Sequence, residues 1–228
     1  MNKRKEELGL AAVHLERALR EEGCSLCRRI REAEERWIWN VLYELTGDPE
    51  VHERLAASLG VCREHAALLV QVVQTRELVT PTGVARLYET VVAHALAILA
   101  DLPRRRRSTF RAECPLCALA KEAEDRESWF LGELLGDPRF WALYENSDGL
   151  CLPHLLEVWA RAPEEVRPKL LEDFRARLER LLARLREFQR KERFDVDEPP
   201  TPEEVASWRE ALWRLAGMSY AGPLIPRG

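Results

Sequence analysis

The chain reads as an all-α protein made of two tandem helical repeats, each stapled by a Cys3His metal site, with further helices at the C-terminal end. Three observations predict this. The sequence repeats itself once, apolar residues recur at three- and four-residue spacing without sustained strand-type alternation, and all six cysteines fall in paired motifs.

The duplication is direct. Gly23-Cys24-Ser25-Leu26-Cys27 aligns with Glu113-Cys114-Pro115-Leu116-Cys117, and Glu32-Ala33-Glu34-Glu35-Arg36 with Glu122-Ala123-Glu124-Asp125-Arg126. Trp39 then meets Trp129. After a one-residue slip, Gly47-Asp48-Pro49 falls on Gly136-Asp137-Pro138, and Gly60-Val61-Cys62-Arg63-Glu64-His65 on Gly149-Leu150-Cys151-Leu152-Pro153-His154.

The first helix is expected over residues 3–22, from the spacing of Leu8, Ala11, Ala12, Leu15, Ala18 and Leu19. Each Gly-Asp-Pro is a corner, because glycine ends one helix while aspartate caps the next and proline fits its first turn. An apolar helix follows around Val84, Leu87, Val91, Leu96 and Leu99, and Leu102 to Ser108 joins the halves. Pro163 to Arg193 predicts a long helix. Thr201-Pro202-Glu203-Glu204 is a capping box that opens a last helix, with Val205, Trp208, Leu212 and Leu215 as its buried stripe. The expected organisation is therefore 1–102 for the N-terminal helix and first repeat, 103–162 for the second repeat, and 163–228 for the long helix and the docked C-terminal helix.

With 228 residues, 46% hydrophobic and 32% charged, the chain can bury a core of one to two domains. No run of about eighteen apolar residues occurs and the first residues lack a secretory signal's apolar segment, so the expectation is a cytoplasmic protein with no membrane partner. A net charge of −4 and a pI near 5.9 give no global pull toward nucleic acid. The run Arg104 to Arg107, reinforced by Arg111, reads as a solvated linker rather than a phosphate-binding patch.

The eight candidate metal ligands are Cys24, Cys27, Cys62 and His65 in the first repeat and Cys114, Cys117, Cys151 and His154 in the second. Residues three apart on a helical first turn point the same way, so each Cys-x-x-Cys or Cys-x-x-His is a two-toothed clamp, and two clamps give four ligands. The sequence pairing expected is within each repeat: Cys24 and Cys27 with Cys62 and His65, and Cys114 and Cys117 with Cys151 and His154. Three thiolates and an imidazole suit two Zn2+ ions, with iron–sulfur clusters as the alternative. Disulfides would leave the paired histidines unexplained, and no strand precedes a Cys-x-x-Cys as thioredoxin-like exchange requires. Arg28, Arg29 and Arg63 flank the first expected site, and Ala118, Leu119, Leu152 and Pro153 the second, which is therefore expected to be the drier and the later to release its metal.

Glu34 and Glu124, matched between repeats like Arg36 and Arg126, read as ion-pair or outer-shell partners of the sites. His14, His52 and His94 read as ordinary helix residues, and the tryptophans as core more than as a base-stacking platform. No zinc-protease, di-iron, phosphate-loop or Gly-x-Ser-x-Gly motif is found, so no catalytic residue is assigned. The inference from closed ligand shells is a scaffold or protein-interaction module whose partner is protein. The sequence assigns no oligomeric state.

The repeated Cys-x-x-Cys, Ala-Glu-Glu-Arg, Asp-Pro and Gly-x-Cys-x-x-His elements, followed by Ser207-Trp208-Arg209-Glu210-Ala211, resemble an uncharacterised bacterial domain-of-unknown-function family. The resemblance runs from about Gly23 to Gly217. It implies the eight matched positions as metal ligands and nothing about activity.

Overall fold

The computed structural model describes residues 3–101 and 112–218, and among these it contains ten helices and no strand. In chain order they are α1 (Lys3–Leu19), α2 (Ser25–Tyr43), α3 (Pro49–Ala57), α4 (Arg63–Thr75), α5 (Pro81–Asp101), α6 (Pro115–Leu134), α7 (Pro138–Glu145), α8 (Leu152–Arg161), α9 (Arg167–Lys191) and α10 (Pro202–Ala216). The all-α class is as the sequence predicts. The run Arg104 to Arg107 and Arg111 lie outside the described residues.

Two compact units make up the chain: Met1–Arg29 with Glu124–Gly228, and Ile30–Ala123. The expected segments 1–102, 103–162 and 163–228 follow sequence order, whereas the units do not: the first takes its residues from both ends of the chain. In that unit Leu15, Leu26, Leu131, Tyr144, Leu150, Leu155 and Leu170 are fully buried around a single core. In the other, Ile38, Leu68, Leu87 and Leu116 fill the centre. Each such side chain contributes about 1.5–3 kcal/mol by leaving water.

Local chemistry sets the corners. Asp48 accepts the Glu50 and Val51 amides at 2.8 and 3.1 Å, Asp137 accepts that of Arg139 at 2.8 Å, and Pro49 and Pro138 occupy the first helical turn, as predicted. Gly60 and Gly149, matched in the repeat, both turn at positive φ, +80° and +77°, immediately before the Cys-x-x-His clamps. A side chain there would be strained by the backbone and, at Gly60, would also meet the Tyr88 hydroxyl at 2.9 Å.

The apolar stripe of α10 faces differently from expectation. On α10 the capping box forms, but Val205, Trp208, Leu212 and Leu215 are 44–53% exposed, while Glu204, Ser207, Trp213 and Arg214 are buried. Arg214 explains the rotation. Its guanidinium donates to the carbonyls of Asp148 and Leu150 and pairs with Glu210, so the helix turns a polar anchor inward and leaves apolar residues outside. On α9, Arg177 is likewise buried and donates to the carbonyls of Tyr144, Glu145 and Ser147. On α5, Leu87 and Val91 are buried but Leu96 and Leu99 are exposed. The stretch Pro81–Ala100 is, by length and composition alone, long and apolar enough to cross a membrane, although Arg86 and Glu89 interrupt it.

Candidate metal centres

Every one of the eight predicted ligands sits at a helix N-terminus. Cys62 and Cys151 are the N-cap residues of α4 and α8, and His65 and His154 follow in the first turn. Cys24 and Cys114 immediately precede α2 and α6, and Cys27 and Cys117 are the third residues of those helices. The carbonyls of the four leading cysteines accept the first helical hydrogen bonds, from Arg28, Ala66, Ala118 and Leu155. Cap and third helical position point the same way, which is why the three-residue spacing makes a clamp. The positive end of each helix favours thiolate over thiol.

The clamps meet in a different combination from the one expected. Cys24 and Cys27 group with Cys151 and His154, and Cys62 and His65 with Cys114 and Cys117; within each group the ligand atoms all lie within 4.8 Å of one another. Pairing inside each repeat is therefore corrected: every group takes one clamp from each repeat. Each lies wholly within one compact unit. The cause is tertiary. Cys24 and Cys151 belong to the same buried core, as do Cys114 and Val61 with the other, so packing brings these helix ends together irrespective of repeat membership.

The geometry suits a single metal ion in each group. A tetrahedral ion with metal–sulfur bonds of about 2.3 Å has sulfur–sulfur edges of about 3.8 Å and sulfur–nitrogen edges of about 3.5 Å. Cys27 Sγ lies 3.8 Å from Cys151 Sγ and Cys62 Sγ 3.7 Å from Cys117 Sγ. His154 Nδ1 is 3.2–3.3 Å from its three sulfurs, and His65 Nδ1 is 3.1–3.5 Å from its own. All six cysteines are free thiols, and no sulfur pair is near bonding distance.

Both histidines present Nδ1 to the sulfurs and Nε2 to a carboxylate. Glu34 Oε1 lies 2.9 Å from His65 Nε2, and Glu124 Oε1 lies 3.3 Å from His154 Nε2. Such a carboxylate fixes the ring and its tautomer and makes the other nitrogen a better donor. Each matched glutamate thus pairs with a histidine, the ion-pair reading taken from the repeat. Arg36 is exposed, and Arg126 pairs with Glu127 instead.

Electrostatics divide each group into a thiolate and its proton-holding neighbours. Burial raises the Cys24 thiol, but hydrogen bonds from Cys151, Cys27 and His154 overcome it and bring the group well below its usual value, whereas bonding to Cys151 and Cys24 pushes Cys27 up. In the other group, burial is outweighed at Cys114 by the Cys62 and Cys117 amides and by His65, lowering it to about 7, and burial and Cys62 raise Cys117 to about 12. Burial alone would lower His65; Glu34 and Cys114 raise it to about 9. His154 rises to about 12 despite burial, through Cys151, Cys24 and Glu124.

The crossed pairing also redistributes the flanking residues. Arg28 and Arg29 now accompany Leu152 and Pro153, while Arg63 accompanies Ala118 and Leu119. Arg28 pairs with Glu21 at 3.0 Å and Arg29 with buried Glu127 at 3.2 Å, so both are engaged by carboxylates. The drier group is the one containing Cys24 and Cys151, both fully buried; in the other, Cys62 and Cys117 are only half-buried. Because each group takes one clamp from each of the two expected sites, the expected order of dryness has no counterpart here.

Among the remaining candidates, His52 ties Thr90 and the Thr46 carbonyl together, and His94 is exposed. Of the tryptophans, Trp213 is fully buried, Trp37, Trp39 and Trp141 pack partly against the cores, and Trp159 and Trp208 are exposed. Residues the sequence reading passed over are Gly217 and Met218: the Met218 amide donates to Cys27 Sγ at 3.3 Å. The signal available was Gly217 itself, a glycine just past the last periodic residue of a helix.

Fold and site together define an all-α protein with two Cys3His clusters at metal-binding distance. Comparison with protein-family models, with curated proteins and with solved structures returns no match.

Proposed function

We propose that this protein binds two zinc ions, one in each Cys3His group, and uses them to fasten its helices into a scaffold that engages another protein. The observation that carries this is convergence: in each group three sulfurs and one Nδ1 stand at the edges of a tetrahedron sized for one ion, with Nε2 held by a glutamate. Four protein ligands close the shell, leaving no position for a reactive water, which favours a structural over a hydrolytic role. The exposed stripe on α10 is the kind of apolar surface that a protein partner covers. The eight shared ligand positions also support membership of the uncharacterised bacterial family that the sequence resembles.

The second reading is a redox or metal-sensing protein carrying iron–sulfur clusters on the same ligands. A cluster spreads its four ligands over two or more irons, so ligands on different irons stand farther apart than the 4.8 Å within which all four ligand atoms of each group lie, and this favours a single ion. Elemental analysis with a visible spectrum of anaerobically purified protein tests both. Two equivalents of zinc in a colourless sample are expected. A brown sample that bleaches in air supports clusters, and protein without bound metal overturns the proposal.

A further inference from the structure

We infer that the two sites differ in lifetime, the Cys62, His65, Cys114 and Cys117 site exchanging a thiophilic divalent cation with the surroundings while Gly217 and Met218 lock the other. This rests on the metal-binding reading above and adds a function to one of the two sites. Ligand exchange requires an incoming donor to reach the metal as each protein thiolate lets go, so access decides the rate.

The first unit denies that access. Cys24 and Cys151 are fully buried, and the one half-buried sulfur, Cys27, is covered by the strap that leaves α10. At Gly217 the chain turns with φ +88°, and a Cβ built there would lie 3.7 Å from Cys27 Sγ and 3.8 Å from Cys151 Sγ. The strap therefore passes close to both sulfurs. The next residue, Met218, donates its amide to Cys27 and lays its side chain against Gly23, where a Cβ would come within 2.7 Å of the Met218 sulfur. Arg214, one turn earlier, pins α10 to the carbonyls of Asp148 and Leu150, just before Cys151.

The other unit has no strap among its described residues. Cys62 and Cys117 are both half-buried. A cavity of about 310 Å³ opens beside this clamp, walled by Glu113 and Pro115 on either side of Cys114, by Ala118 next to Cys117, and by Trp37 and Glu122. No electron changes hands: the ion leaves with the competing ligand, and the thiolates and imidazole take up protons.

The test uses the full chain loaded with zinc. Challenge with a chelator releases one equivalent about tenfold or more faster than the second, and excess Cd2+ replaces one equivalent first. N-ethylmaleimide, with mass spectrometry of the labelled peptides, marks Cys62 and Cys117 before Cys24, Cys27 and Cys151. Met218→Pro, which removes the donated amide, speeds the slow equivalent about tenfold and leaves the fast one unchanged. Release of both equivalents at one rate, first labelling of Cys24, Cys27 or Cys151, or an unchanged slow phase in a folded Met218→Pro variant overturns the inference. If that variant does not fold, the labelling order in the unaltered chain decides. Protein that never holds metal would instead sink the metal-binding reading, a different result from equal release rates.

Discussion

Glu34 lies on the helix that begins with the Cys24–Cys27 clamp, yet its carboxylate sits 2.9 Å from Nε2 of His65, a ligand of the other group. Glu124 does the same on α6, which begins with the Cys114–Cys117 clamp and serves His154. Each long helix thus contributes thiolates to one site and a histidine-orienting carboxylate to the other.

Replacement of Glu34 by Gln should weaken metal binding at the Cys62, His65, Cys114 and Cys117 site by about 10–100-fold and leave the other site unchanged. Glu124→Gln should have the converse effect. Competition titrations with a chromophoric chelator resolve the two equivalents; weakening of the Cys24 site by Glu34→Gln would contradict the assignment.

The crossed pairing makes a coupling prediction. Cys24→Ser and Cys151→Ser should each abolish the same equivalent, and the double variant should be no worse for metal content than either single one. Cys24→Ser combined with Cys62→Ser should lose both equivalents, because the losses are independent. Stoichiometry by elemental analysis distinguishes this from pairing within repeats, for which Cys24 and Cys62 would share one ion.

Metal uptake should release protons and strengthen as pH rises. Without metal, His65 near 9 and Cys117 near 12 both hold protons at neutral pH, and Cys114 near 7 holds one about half the time. Binding must displace them, so affinity at this site should fall on the order of a hundredfold or more per pH unit lost around pH 7. Below pH 7, as Cys114 gains its proton, the fall should steepen. Titration calorimetry in buffers of different ionisation enthalpy counts the protons directly; affinity that is flat with pH would exclude this account.

The α10 register can be checked by stability. Trp213→Ala should cost about 3–5 kcal/mol and Arg214→Met about 3 kcal/mol, the first by opening a cavity and the second by leaving two carbonyls without their donor and Glu210 with Arg184 as its remaining partner. Leu212→Gln and Leu215→Gln should change stability by only about 0.5 kcal/mol, since both side chains are half-exposed. Urea denaturation measures all four, and a large loss at Leu212 would show that the expected stripe is buried after all.

By itself the sequence determined what depends on neighbours a few residues apart. Helical periodicity, the Asp-Pro corners, the Thr201 capping box and the three-residue clamp spacing are all local, and the repeat singled out all eight residues of the two Cys/His groups and both glutamates. It did not determine which clamp meets which, because that follows from how helices far apart in the chain pack: the N-terminus of α2 meets that of α8, and that of α4 meets that of α6. The same holds for α10, where a pattern of Val205, Trp208, Leu212 and Leu215 looks like a core face until Arg214 finds two carbonyls 64 and 66 residues away and turns the helix over. Only packing supplies such partners. The shielding of Cys27 by Met218, 191 residues along the chain, belongs to the same class: a contact set by tertiary structure and invisible to any local rule.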